Sequence, residues 1–145
     1  MGILFGKDSS LQEGEIDIGI YRVALTDDIG SGSFGTVFKA TNRKTAEKIA
    51  VKKIRYEFNT EINDELRNMA ETEIISMAMV RHRHIVSLLD YKMANGSAWI
   101  FMPYCDRGDL NRYLSNNADM SIGKRFIMMH QLANAVSVYT GIIHR

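Results

Sequence analysis

Glycines at 30, 32 and 35 interrupt a stretch that otherwise reads as two consecutive strands, and they constrain this chain more than any other feature. Residues 29–40 read IGSGSFGTVFKA, and after a short polar turn residues 49–53 read IAVKK. Without a Cβ, glycine lets the backbone come close to a phosphate and take positive φ at little cost. The spacing G-x-G-x-x-G is shared with the dinucleotide-binding fingerprint, which must open directly into a helix. Here Thr36, Val37 and Phe38 follow, β-branched and aromatic residues that favour a strand. The glycines therefore bridge two strands. A Rossmann oxidoreductase is set aside, since no helix follows Gly35 and no βαβ repeat is visible.

A glycine loop between two strands, with Val37 two residues past the last glycine and A-V-K at 50–52 on the next strand, resembles the protein kinases. The resemblance implies that the backbone of Ile29, Gly30, Ser31, Gly32, Ser33, Phe34, Gly35 and Thr36 folds over the phosphates of ATP. Val37 and Ala50 would form an apolar lid on the purine, and Phe34 would cap the loop. Strand alternation puts Lys52 on the face of Ala50 and Lys53 on the other face, which makes Lys52 the catalytic lysine. Lys53 is the alternative if the register slips by one.

A helix follows. Residues 62–77 carry Ile62, Leu66, Met69, Ala70 and Met77 at helical spacing, one apolar stripe with Glu73 in its middle. A carboxylate on a buried side is costly unless it is paired, or else it sits at the stripe's edge and reaches water. The resemblance gives the sharper role, the helix-C glutamate that pairs with Lys52 and holds it against the α- and β-phosphates. Glu73 also precedes residues 81–90 (RHRHIVSLLD) at the family's distance. His82 and His84 are poorly spaced for a metal site. His82 fits the first place of the family's H-x-N-I-V turn, and His84 replaces its Asn.

Residues 98–110 (AWIFMPYCDRGDL) resemble strand five, the hinge and the entry to helix D. The resemblance makes Met102 the gatekeeper and Pro103, Tyr104 and Cys105 the hinge. Pro103, the only proline, lacks an N–H, so it would offer adenine its carbonyl while Cys105 supplies the donor. Asp109 would approach the ribose, or cap the helix at 110–114; the two roles are compatible. Within this segment, residues 105–114 (CDRGDLNRYL) are similar to the hinge of the PDLIM-interacting, or Clik, serine/threonine kinases.

Residues 121–138 are apolar on most faces, as in a buried helix, and resemble helix E of a kinase C-lobe. GIIHR follows, with His144 and Arg145 in the first two places of H-R-D. The catalytic Asp, the metal-binding D-F-G and the activation loop lie outside this sequence. The turn before I-I-H-R is about two residues shorter than the family pattern, and Tyr139 and Thr140 stand where Leu-His is usual.

Composition fits this reading. The net charge of +1, from 18 Lys and Arg against 17 Asp and Glu, points to neither nucleic acid nor a membrane surface as the main partner. One Cys excludes an internal disulfide framework and suits a reducing compartment, so an intracellular location, cytoplasmic or nuclear, is expected. No apolar run reaches membrane-spanning length. Gly2 does not complete a myristoylation motif, because Gly6 occupies the Ser/Thr place.

The expected fold is α+β: a kinase-like N-lobe of five antiparallel strands plus helix C, then the hinge and helices D and E. Residues 1–20 form an extension with a short strand at 16–20, residues 21–104 the N-lobe and hinge, and residues 105–145 the start of the C-lobe. The expected function is ATP-dependent phosphorylation of a protein substrate by a serine/threonine kinase, with Mg2+ implied but its ligands outside this chain. Alone, the chain is expected to be inactive. The alternative is a nucleotide-binding pseudokinase or scaffolding module.

Overall fold

A computed structural model describes residues 11–32, 35–56 and 61–143; the side chains at 61–63 and 142–143 fall outside the description. Ser33, Phe34, His144 and Arg145, named above as loop tip and motif residues, lie outside the described residues. The elements run β1 (Glu15–Ile18), β2 (Tyr21–Gly32), β3 (Gly35–Asn42), β4 (Lys48–Arg55), α1 (Glu61–Met79), β5 (Asp90–Ala94), β6 (Ser97–Pro103), α2 (Leu110–Asn116) and α3 (Ile122–Ile143). All neighbouring strands pair antiparallel, in the order β1-β2-β3-β4-β6-β5. The sheet thus has six strands, the five expected of the N-lobe and the short strand expected at 16–20, here Glu15–Ile18. The sixth is β1, which pairs with β2 so that Ile16 faces Val23 across the ladder.

Alternation along the strands divides the sheet into two faces. One buries Ile18, Tyr21, Val23, Ala40, Ile49, Val51, Trp99 and Phe101 together. The other buries Ile54, Ala98 and Ile100 against Ala70 and Ile74 of α1. The sheet curls until its first hairpin meets its last strand: Tyr21 stacks on Phe101 with ring centroids 4.1 Å apart, and its hydroxyl bonds Asp90 of β5. β5 and β6 are joined by Asn95 and Gly96, at φ 51° and 63°. Two consecutive left-handed residues match the twist of a two-residue hairpin, which Asn-Gly favours.

α1 meets the sheet through Leu66, Ala70, Ile74 and Met77. This corrects the expected stripe in two places. Ile74, left out of it, is buried, while Met69, counted in it, is about half exposed. The packed face is turned so that Met69 and Glu73 lie along its edge rather than in its middle.

α3 also departs from expectation. It continues past residue 138 to Ile143, so the first residues of GIIHR are helical and not a turn. A single glycine inside a helix costs only about 1 kcal/mol, and Gly141 is the sole breaker there. Thr140 strengthens the turn by donating its hydroxyl to the carbonyls of Val136 and Ser137. Most of the apolar surface of α3 is uncovered: Ile122 is 86% and Phe126 73% exposed, and Ala135 is the one hydrophobic residue of the helix that is buried among those described.

Candidate functional site

β3, β4, β6 and α1 bring the expected site residues among those described to one face of the sheet. In the β3–β4 ladder Val37 stands opposite Lys52 and Lys39 opposite Ala50, and in the β4–β6 ladder Ala50 stands opposite Met102. Directly paired residues project to the same side, so Val37, Ala50, Lys52 and Met102 share a face. Ala50 is buried and Val37 and Met102 are partly so.

On that face Lys52 Nζ donates to both carboxylate oxygens of Glu73, at 2.8 and 2.7 Å. The side chains are 20% and 33% exposed, so the pair is shielded yet open to solvent on one side. Lys53 goes the other way. Its ammonium lies 4.5 Å from the centroid of Trp99, a cation–π contact. Burial, with the nearby Arg55 charge adding to it, holds the Lys53 pKa below its usual value.

The three glycines differ in what surrounds them. A Cβ on Gly30 or Gly32 would meet nothing within 4 Å. A Cβ on Gly35, at φ +136°, would run into the Lys53 carbonyl oxygen. Gly35 is therefore demanded by the fold, whereas the space above Gly30 and Gly32 is open to a ligand. One detail was not anticipated: the Gly30 N–H donates to Asp28 Oδ1 at 2.8 Å. An acidic residue two places before a glycine is the sequence signal for such an Asx turn. A phosphate seeking the Gly30 amide would have to displace that carboxylate.

At the hinge, Pro103 closes β6 opposite Ile49, and Cys105 is exposed. Among the described residues no hydrogen bond takes up the Cys105 N–H. Asp109 caps α2, accepting from the Arg112 N–H at 2.8 Å. His82 and His84 pack edge to face, and no described group of three or more His, Cys, Asp or Glu side chains is placed to hold a metal ion.

A cavity of about 650 Å³ opens beside the Lys52–Glu73 pair. Its walls are mostly α1, from Asn68 and Met69 through Thr72, Ser76 and Met77 to Val80, closed by Ile85 and by Tyr139 of α3. In the sequence Tyr139 is only a residue that departs from the family pattern, and nothing in its local surroundings shows that α3 carries it to this wall. A second cavity, of about 380 Å³, lies at the other end of the same strands around Lys39, Thr41, Lys48 and Tyr104. Asp27 holds Lys39 there by an ion pair at 2.9 Å, which raises the lysine's pKa.

The protein kinase domain family matches residues 23–145. The serine/threonine-protein kinase ATG1 of Debaryomyces hansenii is 38% identical over 98 residues, covering 67% of this chain and 11% of that protein. The serine/threonine-protein kinase ULK3 of Rattus norvegicus is 33% identical over 113 residues, covering 77% of this chain and 23% of its own length. ATG1c of Arabidopsis thaliana is 30% identical over 88% of the chain. The chain thus spans less than a quarter of the length of these relatives. Among solved structures, Rad53 1-466 in complex with AMP-PNP superposes with a TM-score of 0.69 at 20% identity, over 85% of this chain and 31% of that one, a likeness of fold. The chain belongs to the protein kinase domain family.

Proposed function

We propose that this chain is the ATP-binding part of a serine/threonine protein kinase, which in a longer parent transfers the γ-phosphoryl group of ATP to a protein hydroxyl. The observation that carries the reading is the two-oxygen grip of Glu73 on Lys52, on the sheet face that also presents Val37 and Ala50. A lysine fixed in this way offers a positioned cation to anionic oxygens, and such preorganised donors lower barriers because they need not reorganise during reaction. The open space above Gly30 and Gly32 fits phosphates, and the free Cys105 N–H fits the acceptor edge of a purine. ATP, when bound, supplies the phosphoryl group. The chain's own residues orient it: Lys52 at the phosphates, Val37, Ala50 and Met102 along the base, Asp109 toward the ribose.

Magnesium is implied by the family, and among the described residues no group of three or more His, Cys, Asp or Glu side chains is placed to hold it. In a parent that continues beyond this sequence, His144 and Arg145 would open the H-R-D motif. The hinge at residues 105–114 supports a narrower kinship with the Clik kinases, and the cysteine usage supports an intracellular location. Binding of a fluorescent ATP analogue to residues 1–145 tests the nucleotide site: Lys52→Met is expected to weaken it about tenfold, or roughly 1.4 kcal/mol. Equal affinity of the two proteins would remove Lys52 from the site. With Mg-ATP and a protein substrate, residues 1–145 alone are expected to show no turnover.

A further inference from the structure

The end of α1, the loop that follows it and the start of β5 enclose a cavity of about 590 Å³, and none of the residues assigned to the nucleotide lines it. Its size suits a ligand, since binding sites span roughly 300–1,000 Å³. Met77, Val80, Leu88, Leu89 and Tyr91 make its walls apolar. Leu89 and Tyr91 are nearly half exposed, and Met79 and Val86 add exposed apolar surface on the same stretch of chain. β5 is the last strand of the sheet, so among the described residues no further strand pairs beyond Tyr91. The loop that shapes the cavity is held in place: His82 accepts the Ile85 N–H at its carbonyl oxygen, at 3.0 Å, and the His84 N–H at Nδ1, at 3.3 Å. The site therefore exists before anything binds.

Charge decides what belongs there. Arg81 lines the cavity and Arg83 lies two residues on, both exposed, and among the described residues neither has an ion-pair partner. Asp90 is the one carboxylate on the walls. It is already engaged, accepting from the Tyr91 N–H at 2.8 Å, from Lys92 Nζ and from the Tyr21 hydroxyl. The end of the α1 dipole brings about half a negative charge to this side, which two full guanidinium charges exceed. What is missing is carboxylates beside large apolar side chains. A second copy of the chain matches poorly. Its most apolar exposed surface is α3, and residues 122–143 hold Lys124, Arg125 and His130 but no Asp or Glu. Nucleic acid matches poorly too, because binding to it gathers on the order of 6–10 phosphate contacts and makes no use of an apolar cavity.

We propose that this cavity docks an acidic, apolar peptide segment of a partner protein. Large apolar side chains of the segment seat against Val80, Leu88 and Tyr91, and its carboxylates meet Arg81 and Arg83 at the rim. The division of roles follows from exposure: apolar anchors in the cavity supply most of the affinity, while rim charges, open to water, select the partner and speed its arrival. Each rim pair contributes little by itself.

Selection from a library of random peptides on sparsely immobilised residues 1–145 tests the site. The peptides that bind are expected to combine several Asp or Glu with several of Leu, Ile, Phe and Trp, and hydrogen exchange is expected to show their protection at residues 77–91. For a fluorescein-labelled peptide so obtained, the double change Arg81→Glu, Arg83→Glu is expected to weaken binding about tenfold. Leu89→Asp, which sets a carboxylate in the apolar wall, is expected to weaken it at least as much. Affinity is expected to fall as salt is raised, because the rim pairs are screened. An empty selection, bound peptides without acidic residues, protection at residues 122–143 instead, or equal affinity of the double variant would each overturn the proposal. Self-association of the chain that Leu89→Asp abolishes would show that a second copy fills the cavity, and would overturn it too. Should either variant melt early, Arg81→Gln, Arg83→Gln decides by itself, since both positions are exposed: binding several-fold weaker supports the site, and unchanged affinity refutes it.

Discussion

Lys52 and its neighbour Lys53 are separated by one peptide bond and by the whole thickness of the sheet: the first grips Glu73 at 2.7 Å, and the second lies over Trp99. Alternation makes them chemically unlike. In a catalytically competent parent, Lys52→Met is expected to lower phosphoryl transfer by roughly two to three orders of magnitude, as loss of a preorganised donor does. Glu73→Gln keeps the shape but weakens the grip, so its effect is expected to be smaller. Lys53→Met replaces a partly desolvated ammonium by an apolar chain and is expected to leave the rate within a few-fold. Steady-state kinetics of the three variants check this, and a greater loss for Lys53→Met would reverse the assignment.

The glycines invite a matched pair of substitutions. Gly35→Ala forces a Cβ onto the Lys53 carbonyl at a positive φ, where backbone strain alone costs about 1–3 kcal/mol. Gly32→Ala meets empty space. Thermal melting is expected to drop by several degrees for Gly35→Ala, at about 2–4 °C per kcal/mol for a domain of this size, and hardly at all for Gly32→Ala. Nucleotide affinity is expected to order the second variant differently: Gly32→Ala should bind ATP analogues more weakly although it folds normally. A Gly32→Ala protein with unaltered affinity would show that the open space is not where phosphates go.

Much of this arrangement was legible in the sequence, for reasons that particular residues make plain. The two-residue period of IAVKK placed Lys52 on the face of Ala50, because strand alternation is fixed by backbone geometry. The turn at Asn95-Gly96 is equally readable from its dipeptide. Ile74 is buried and Met69 half exposed because a helical stripe does not say which of its edges meets the sheet; that depends on where β4 and β6 lie. The short strand of the extension was readable at 16–20, but its pairing with β2, Ile16 opposite Val23, was not, because register is set by a partner outside the local window. Tyr139 at the cavity wall and the contact of Tyr21 with Asp90 arise from curling and helix placement, which no local window contains.

That last contact yields a pH dependence. The Tyr21 phenol is held above its usual pKa by burial first, then by the Asp90 charge and its hydrogen bond. A raised acid pKa means that the folded state keeps its proton longer than the unfolded state. The stabilisation is therefore fully present below pH 10 and is lost as pH rises through the folded-state value. Urea titrations from pH 9 to 11 are expected to show a steeper loss of stability for the unmodified chain than for Tyr21→Phe, which has no phenol to ionise. Parallel curves would mean that the hairpin of β1 and β2 does not hold its ring against β5 in solution.

The surface of α3 leads to the last expectation. Phe126, Ile127, Met129, Leu132 and Val136 are all about half exposed or more along one helix, and soluble monomers rarely show contiguous apolar patches beyond a few hundred Å². The sheet and α1, by contrast, bury two clusters of their own. In purified residues 1–145 these two parts are expected to behave differently. The apolar helix drives self-association or chaperone capture, and proteases cut after the hinge while residues 21–104 resist, because local opening is easiest where few apolar contacts are buried. Light scattering and limited proteolysis with mass mapping provide the check. A monodisperse monomer whose α3 amides are as protected as those of β6 would show that the helix finds cover within the chain, and that the exposure seen here does not persist in solution.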